Sequence, residues 1–227
     1  MDGTVLNTLD DLMDAMNYAV RKHGYPGDFT AEDVKNFFGS GANVAVCRAL
    51  SLLHGIRVDE LLQIGTEEDQ LTEKLDPEEV QRVIDTFRPY YAQHCNEKTG
   101  PYPGIPELLL RLKEAGKRSA VVSNKPDGAV QDLANQLYPD LFQYAVGEKA
   151  GVRRKPAPDT VETALKELGV KKEESVYIGD SEIDLETARN AGLDVIAVTW
   201  GFRSEAFLRD HGAEIIVDRA EEIFPQQ

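Results

Sequence analysis

Two aspartates late in the sequence have a spacing that suits a metal ion. Asp180 follows the apolar stretch "VYIG", and Asp184 comes four residues later. Carboxylates one helical turn apart can face the same point, and Mg²⁺ prefers oxygen ligands together with water. The alternative is that Asp180 only caps the helix that follows it. Because both acids come directly after an apolar stretch and a glycine, the pattern favours a metal site.

A hydroxyl and an amide follow a second apolar stretch, in "AVVSNKP". Ser123 and Asn124 stand at the end of that stretch. A hydroxyl together with backbone N–H groups can hold phosphate oxygens at such a position. Serine and asparagine are also common in turns that begin a helix. The sequence leaves both interpretations open.

A lysine precedes a rigid Pro-Ala-Pro sequence in "RRKPAPD". Lys155 could neutralise negative charge that develops on a transferred group, or it could be a surface lysine beside a helix start. Lys149, Arg153 and Arg154 are close to it in an otherwise acidic chain. Such local positive charge suits a small anionic substrate, although a solvated loop would have the same composition.

The sequence starts with "MDGTVLNT", in which Asp2 and Thr4 flank a glycine. Asp-Gly-Thr is by itself a common turn, so this stretch alone indicates little. Its meaning depends on the rest of the sequence.

The elements that must position these residues change in type near residue 100. Residues 8–97 predict about five short helices joined by tight turns, because apolar residues recur there every three or four positions. From residue 101 onwards helices alternate with short apolar strands. The predicted strands are "RSAVVS", "QYAVG", "SVYIGD", "DVIAVTW" and "EIIV".

Continuous apolar strands are typical of a parallel sheet that is covered on both faces. We therefore expect an α/β fold, a doubly wound parallel sheet with an inserted α-helical cap domain. Residues 1–7 and 98–227 would form the α/β core, and residues 8–97 the helical cap. In such sheets the ligand site lies at the carboxyl ends of the strands, where Ser123 and Asp180 fall.

The composition narrows the classes of partner. The 227 residues carry 25 Lys and Arg against 40 Asp and Glu, a formal net charge of −15, which disfavours nucleic acid and anionic membranes as partners. The sequence shows neither a membrane-spanning apolar run nor a signal-peptide pattern, and its two cysteines do not make a disulfide framework. We expect a cytoplasmic protein, monomeric or homodimeric, without nucleic-acid or membrane partners.

The four chemical stretches gain meaning from their order. Along the chain they run D-G-T-V, V-V-S-N-K, K-P-A-P-D and G-D-S-E-I-D. This series resembles the haloacid dehalogenase superfamily of phosphotransferases over essentially the whole chain, and residues 8–97 resemble that superfamily's helical cap. Three further stretches are similar to its phosphoglycolate phosphatase branch: "YPGIPELLLRLKEAG", "VTWGF" and "FFGSGANVAVCRAL".

The resemblance implies a role for each matching residue. Asp2 matches the aspartate that protonates the leaving oxygen and later activates water. Lys155 matches the lysine that stabilises charge and binds the phosphate. Ser123 matches the phosphate-binding serine, with Asn124 beside it, and Thr4 would also lie against the substrate.

The resemblance also implies Mg²⁺ as the cofactor. The matching metal ligands are the backbone carbonyl of Asp2 and the acidic pair Asp180 and Asp184, of which Asp180 is the favoured direct ligand. The implied activity is that of a Mg²⁺-dependent phosphatase of small phosphorylated metabolites, most like phosphoglycolate phosphatase. A pyrophosphatase, or a phosphosugar phosphatase or mutase of the same superfamily, is the nearest alternative.

One position of the family pattern is missing from this sequence. In the family an aspartate two positions before the match to Asp2 attacks phosphorus and forms an aspartyl-phosphate. The sequence begins at Met1, so it holds neither that aspartate nor the apolar strand before it, and we expect this form to be inactive. The favoured explanation is a misplaced start, with further residues in the natural protein. The alternative is a non-catalytic phosphate-binding or regulatory relative.

Overall fold

The chain folds into two compact units. The structure, a computed structural model, describes residues 1–66 and 68–224. Met1–Asn7 and Gly100–Gln227 form one unit, which we call the core unit, and Thr8–Thr99 form the other, the helical unit. Residue 67 and residues 225–227, which fall in the predicted cap and the predicted core, lie outside the described residues.

The helical unit is built from four α-helices and two short 3₁₀-helices within the part of the chain that is described. Its α-helices are α1 (Leu9–Lys22), α2 (Ala31–Phe37), α3 (Ala42–Leu53) and α4 (Pro77–His94). Local signals set their starts: the side chains of Thr30 and Asp33 form a reciprocal capping box at α2, and the carboxylate of Asp76 accepts from the N–H of Glu78 at α4. Such caps satisfy N–H groups that a helix start leaves without partners.

The stretch "VDELLQIGTEEDQLTEKL", which lies in the region 8–97 predicted to be helical, forms no α-helix among its described residues. Two 3₁₀-helices, Val58–Gln63 and Thr72–Lys74, stand in its place. Gly65 has a φ of 88°, and the carboxylate of Asp69 accepts from the backbone N–H groups of Gly65, Leu71 and Thr72. A side chain that takes up backbone donors in this way competes with the helical hydrogen bonds, which explains why the prediction was wrong here.

A buried arginine ties the helical unit together. Arg48 is 1% exposed. It donates to the backbone carbonyls of Phe37 at 3.2 Å and Ile64 at 3.0 Å, and its guanidinium also reaches Ser40 Oγ at 3.4 Å. The planar, multiply donating guanidinium suits such a cluster of carbonyls. One side chain thereby joins the end of α2 to the segment after the first 3₁₀-helix.

The core unit alternates strands and helices, as predicted. Its strands are β1 (Leu6–Asn7), β2 (Gly100–Pro101), β3 (Ala120–Pro126), β4 (Tyr144–Glu148), β5 (Val176–Gly179), β6 (Asp194–Val198) and β7 (Ile215–Val217). Its α-helices are α5 (Ile105–Glu114), α6 (Asp127–Leu137), α7 (Asp159–Leu168), α8 (Glu182–Ala191), α9 (Glu205–Asp210) and α10 (Ala220–Ile223), and a short 3₁₀-helix spans Lys172–Glu174. Among the described residues, no helix is long and apolar enough to cross a membrane.

The parallel strands fall into two sheets. In one, β3 pairs with β4, and in the other the order is β5-β6-β7. A cavity of about 720 Å³ is lined by residues of both β3 and β5, with apolar side chains such as Val121 and Val161 on its walls. Within the described chain, no segment pairs with β3 or β5 on that side.

The helical unit is inserted between two paired strands. β1 and β2 are antiparallel, with Asn7 opposite Gly100 and Leu6 opposite Pro101. The chain therefore leaves the core unit and returns to it at neighbouring points.

Candidate active site

Strand β3, the connection from β5 to α8, and a turn at the start of the chain bring the predicted site residues to one end of the core unit. Ser123 lies within β3, Asp180 directly follows β5, and Asp184 lies in the first turn of α8. At the start of the chain, the N–H groups of Val5 and Leu6 donate to the carbonyl of Met1. That turn presents the side chain of Thr4 to Asp180. The carboxyl ends of parallel strands are the usual place for a site in such folds.

Asp180 is the most enclosed acid of the site. It is 1% exposed, and it accepts hydrogen bonds from Thr4 Oγ1 at 2.7 Å and from the backbone N–H of Phe202 at 2.9 Å. Burial, and then the negative charge of Asp184, raise the pKa of Asp180 above its ordinary value. A carboxylate has about four lone-pair directions, so these two donors leave part of its coordinating capacity unused.

Glycines allow the backbone to approach Asp180 closely. A Cβ atom added at Gly3 would lie 2.1 Å from Asp180 Oδ2, and one added at Gly201 would lie 2.3 Å from Asp180 Cβ. Real side chains do not come so close, so any other residue would displace the carboxylate or the loops around it. Gly201 stands in "VTWGF", which the sequence analysis tied to a family branch without assigning it a site role.

Asp184 is surrounded by donors. Its carboxylate oxygens accept from Lys155 Nζ at 2.7 Å, Tyr177 Oη at 3.2 Å, Ser181 Oγ at 2.8 Å and the N–H of Asp180 at 3.1 Å. Burial alone would raise the pKa of Asp184, but the positive charge of Lys155 outweighs it and lowers the pKa. Asp184 is therefore ionised, and four donors match its lone-pair directions.

The side chain of Lys155 is held by the carboxylate of Asp184, and its backbone is held by Asn124. Burial by itself would lower the pKa of Lys155, but the carboxylate of Asp184 raises it above the ordinary value. The backbone N–H of Lys155 donates to Asn124 Oδ1 at 2.9 Å, and Asn124 Nδ2 donates to the carbonyl of Lys155 at 3.1 Å. The side chain of Asn124, predicted to contact substrate, thus contacts the backbone of Lys155.

A second buried lysine, which the sequence analysis missed, pairs with Asp2. Lys125 Nζ donates to Asp2 Oδ1 at 3.1 Å, and the Lys125 side chain is 2% exposed. Alternate residues of a strand share a face, and the buried positions of β3 are Val121, Ser123 and Lys125. This alternation, read from Ser123, could have pointed to Lys125.

Hydrogen bonds connect all four chemical stretches of the sequence into one network. Its links are Thr4–Asp180, Asp180–Asp184, Asp184–Lys155, Lys155–Asn124 and Lys125–Asp2. Ser123 Oγ accepts from the N–H of Lys125 at 3.1 Å and belongs to the same stretch. Residues that are up to 176 positions apart therefore share one site.

Two basic residues near Lys155 form ion pairs with neighbouring acids. Lys149 pairs with Asp127 at 3.3 Å, and Arg153 pairs with Asp159 at 2.9 Å. The positive charge predicted for this stretch is thus partly neutralised by neighbouring acids, whereas Lys155 contacts Asp184.

No group of three or more His, Cys, Asp or Glu side chains that could hold a metal ion occurs within residues 1–66 and 68–224. A metal at this site would therefore rely on one or two carboxylates completed by backbone oxygens and water, which Mg²⁺ accepts.

The core unit is thus a parallel α/β fold with buried carboxylates and lysines near the ends of its strands. A family model described as haloacid dehalogenase-like hydrolase matches residues 57–198. This chain belongs to the haloacid dehalogenase-like hydrolases. The family and the α/β fold class predicted from the sequence are both confirmed.

Relatives of known name are phosphatases. An N-acetylmuramic acid 6-phosphate phosphatase from Pseudomonas aeruginosa is 31% identical over 98% of this chain and 90% of its own length. A phosphoglycolate phosphatase from Vibrio parahaemolyticus is 30% identical over 98% of this chain and 91% of its own. A crystal structure from Lactobacillus delbrueckii subsp. bulgaricus, described as a candidate phosphoglycolate phosphatase, is 54% identical with a TM-score of 0.96, covering 98% of this chain and 93% of that one.

Proposed function

We propose that the core unit hydrolyses phosphate monoesters of small metabolites, with phosphoglycolate as the first candidate substrate. The observation that carries this proposal is the hydrogen-bonded network, which gathers two lysines, three aspartates and a serine at one end of the core unit. Phosphoryl transfer depends chiefly on positioning and on electrostatic stabilisation of the transferred group. Charged groups in a buried site supply both.

The residues divide this work. Lys155 offsets negative charge on the phosphoryl group, and its burial strengthens that effect because little water screens it. Ser123 Oγ accepts from the N–H of Lys125, so the Ser123 hydroxyl proton remains available for a phosphate oxygen. Asp2 transfers protons to the leaving oxygen and from water. Thr4 donates a hydrogen bond to Asp180, so in this proposal it holds the Asp180 carboxylate in place beside the substrate.

Mg²⁺ fits the residues present. The carboxylate of Asp180 has lone pairs beyond its two donors and lies in a cradle that a Cβ at Gly3 or Gly201 would fill. We propose Asp180 and the backbone carbonyl of Asp2 as direct ligands. Asp184, whose oxygens already accept four hydrogen bonds, orients Lys155 and the backbone of Asp180. The metal, when bound, would neutralise charge on the phosphate oxygens.

The attacking group remains the prediction made from the sequence. An aspartate directly before Met1 would stand two positions from Asp2, on a strand between β3 and β5. The cavity between these strands supports this placement. A cytoplasmic location and a monomeric or homodimeric state also remain predictions.

The first test measures release of inorganic phosphate from a panel of esters. The panel holds phosphoglycolate, N-acetylmuramic acid 6-phosphate, glucose 1-phosphate and pyrophosphate, each with Mg²⁺ and with EDTA. Two forms are compared: the chain as it stands, and a chain extended by an apolar strand of about five residues that ends in aspartate. An extension that ends in asparagine is the matched control.

We expect Mg²⁺-dependent turnover in the aspartate form, fastest on phosphoglycolate, and none in the asparagine form. Turnover by the unextended chain would keep the proposed function and overturn the predicted nucleophile. Mg²⁺-dependent phosphate binding without turnover in every form would instead establish the non-catalytic alternative.

A further inference from the structure

Lys125 occupies an environment that is costly for a lysine. Its side chain is 2% exposed, and a buried charge without a partner destabilises the folded state strongly. Its ammonium donates to Asp2 Oδ1 at 3.1 Å. The other buried lysine of the site, Lys155, donates to Asp184. The two lysines therefore serve different aspartates, which indicates different tasks.

The fold aims Lys125 at Asp2. The β3–β4 pairing shifts register between Val122 and Pro126, and such irregularities commonly redirect side chains next to a site. The neighbouring strand holds this part of β3 in place, since a Cβ atom added at Gly147 would lie 2.4 Å from the carbonyl oxygen of Lys125. Gly147 thus allows β4 to approach the backbone of Lys125 closely, and the Lys125 side chain extends from there to Asp2.

We infer that Lys125 is a positioning residue that holds the carboxylate of Asp2 in the orientation needed for proton transfer to the leaving oxygen. This inference rests on the proposed function, in which Asp2 is the proton donor. In the transfer, phosphorus forms a bond to the carboxylate of the aspartate predicted before Met1 while its bond to the leaving oxygen breaks, and that oxygen takes the proton of Asp2. Lys125 keeps its own proton throughout and acts through the hydrogen bond to Asp2.

Two substrates with different leaving groups test this role. Phosphoglycolate releases an alkoxide-like oxygen that needs a proton, whereas p-nitrophenyl phosphate releases a stable phenolate that does not. In the form of the protein active in the first test, Lys125→Met should lower kcat/KM for phosphoglycolate about 100-fold, the size of a misplaced general acid. For p-nitrophenyl phosphate it should lower kcat/KM less than about 5-fold.

The ratio of the two kcat/KM values is the readout. Both are measured on one sample, so the ratio does not depend on the fraction that is folded. Lys125→Arg should have a ratio close to that of the parent, because arginine keeps a charged donor. Lys149→Met, which removes a lysine paired with Asp127, should leave the ratio unchanged. In an Asp2→Asn background, Lys125→Met should cause no further change in the ratio.

The outcomes separate the two proposals. A parent that hydrolyses neither ester would overturn the proposed function, and this inference with it. A parent that hydrolyses both, with Lys125→Met lowering both equally, would overturn the positioning role alone. If Lys125→Met yields no folded protein, the ratio of the two kcat/KM values is measured for Lys125→Gln instead. The side chain of this variant keeps an N–H donor but has a shorter reach.

Discussion

Lys155 Nζ lies 2.7 Å from Asp184 Oδ1, and each of the two side chains is less than one-tenth exposed. The ion pair therefore sets the charge of the site and also contributes to the folding of the core unit. Removing one member of a buried ion pair leaves the other charge without compensation.

We predict that Lys155→Ala abolishes turnover and also lowers the stability of the protein by roughly 3 kcal/mol. Urea unfolding measured beside phosphate release checks both effects. Arg153→Ala, which removes an exposed partner of Asp159, is the matched control and should change stability little. A Lys155→Ala protein as stable as its parent would mean that the pair contributes nothing to folding.

The two acids of the metal prediction should respond differently to substitution. Asp180→Asn should weaken Mg²⁺ binding at least about tenfold, because it would remove the proposed direct anionic ligand. Asp184→Asn should leave measurable Mg²⁺ binding but misplace Lys155, because its carboxylate already accepts four hydrogen bonds. Isothermal titration with Mg²⁺ distinguishes them. Equal loss of Mg²⁺ binding in both variants would show that Asp184 is also a direct ligand.

Gly201→Ala should destabilise the protein by about 1 to 3 kcal/mol, because the new methyl group overlaps Asp180 and the carbonyl of Gly3. The matched control is Gly128→Ala in α6, where an added Cβ meets nothing within 4 Å. In a helix that change should stabilise the protein by about 0.5 to 1 kcal/mol. The two alanine substitutions should thus shift the unfolding midpoint in opposite directions. Shifts of the same sign would contradict the close packing at Gly201.

Arg48→Met should destabilise the helical unit by roughly 2 to 4 kcal/mol, because the carbonyls of Phe37 and Ile64 lose a buried donor. Arg57→Met is the control, since Arg57 is exposed and pairs with exposed Asp59, and it should have little effect. Thermal unfolding followed by circular dichroism compares them. Similar midpoints for the two variants would assign Arg48 no structural role.

Local patterns in the sequence predicted most of the fold. The core strands β3 to β7 lie at the apolar stretches named from the sequence, because their periodicity and flanking turns are local signals. The helical stretch after residue 57 was predicted wrongly, because one side chain, Asp69, draws several backbone donors to itself. Periodicity does not reveal such competition.

The site was harder to predict than the fold. The sequence named Asp2, Lys155 and Asp184 but not their partners, since Lys125 and Asp2 are 123 positions apart. A substrate contact by Asn124 stays a prediction, and its side chain forms two hydrogen bonds with the backbone of Lys155. Which polar groups meet depends on strand register and on glycine-permitted close approaches, and both are properties of the folded chain.

The pairing of Asn7 with Gly100 has a consequence for how such a protein can be rebuilt. Since β1 and β2 are antiparallel neighbours, a two-residue Asn-Gly turn could join them as a hairpin. The 92 residues of Thr8–Thr99 could then be excised, or exchanged for the equivalent segment of a relative, without breaking a strand of the core. The core unit would then keep every one of its strands, because the helical unit enters and leaves the chain at two paired residues.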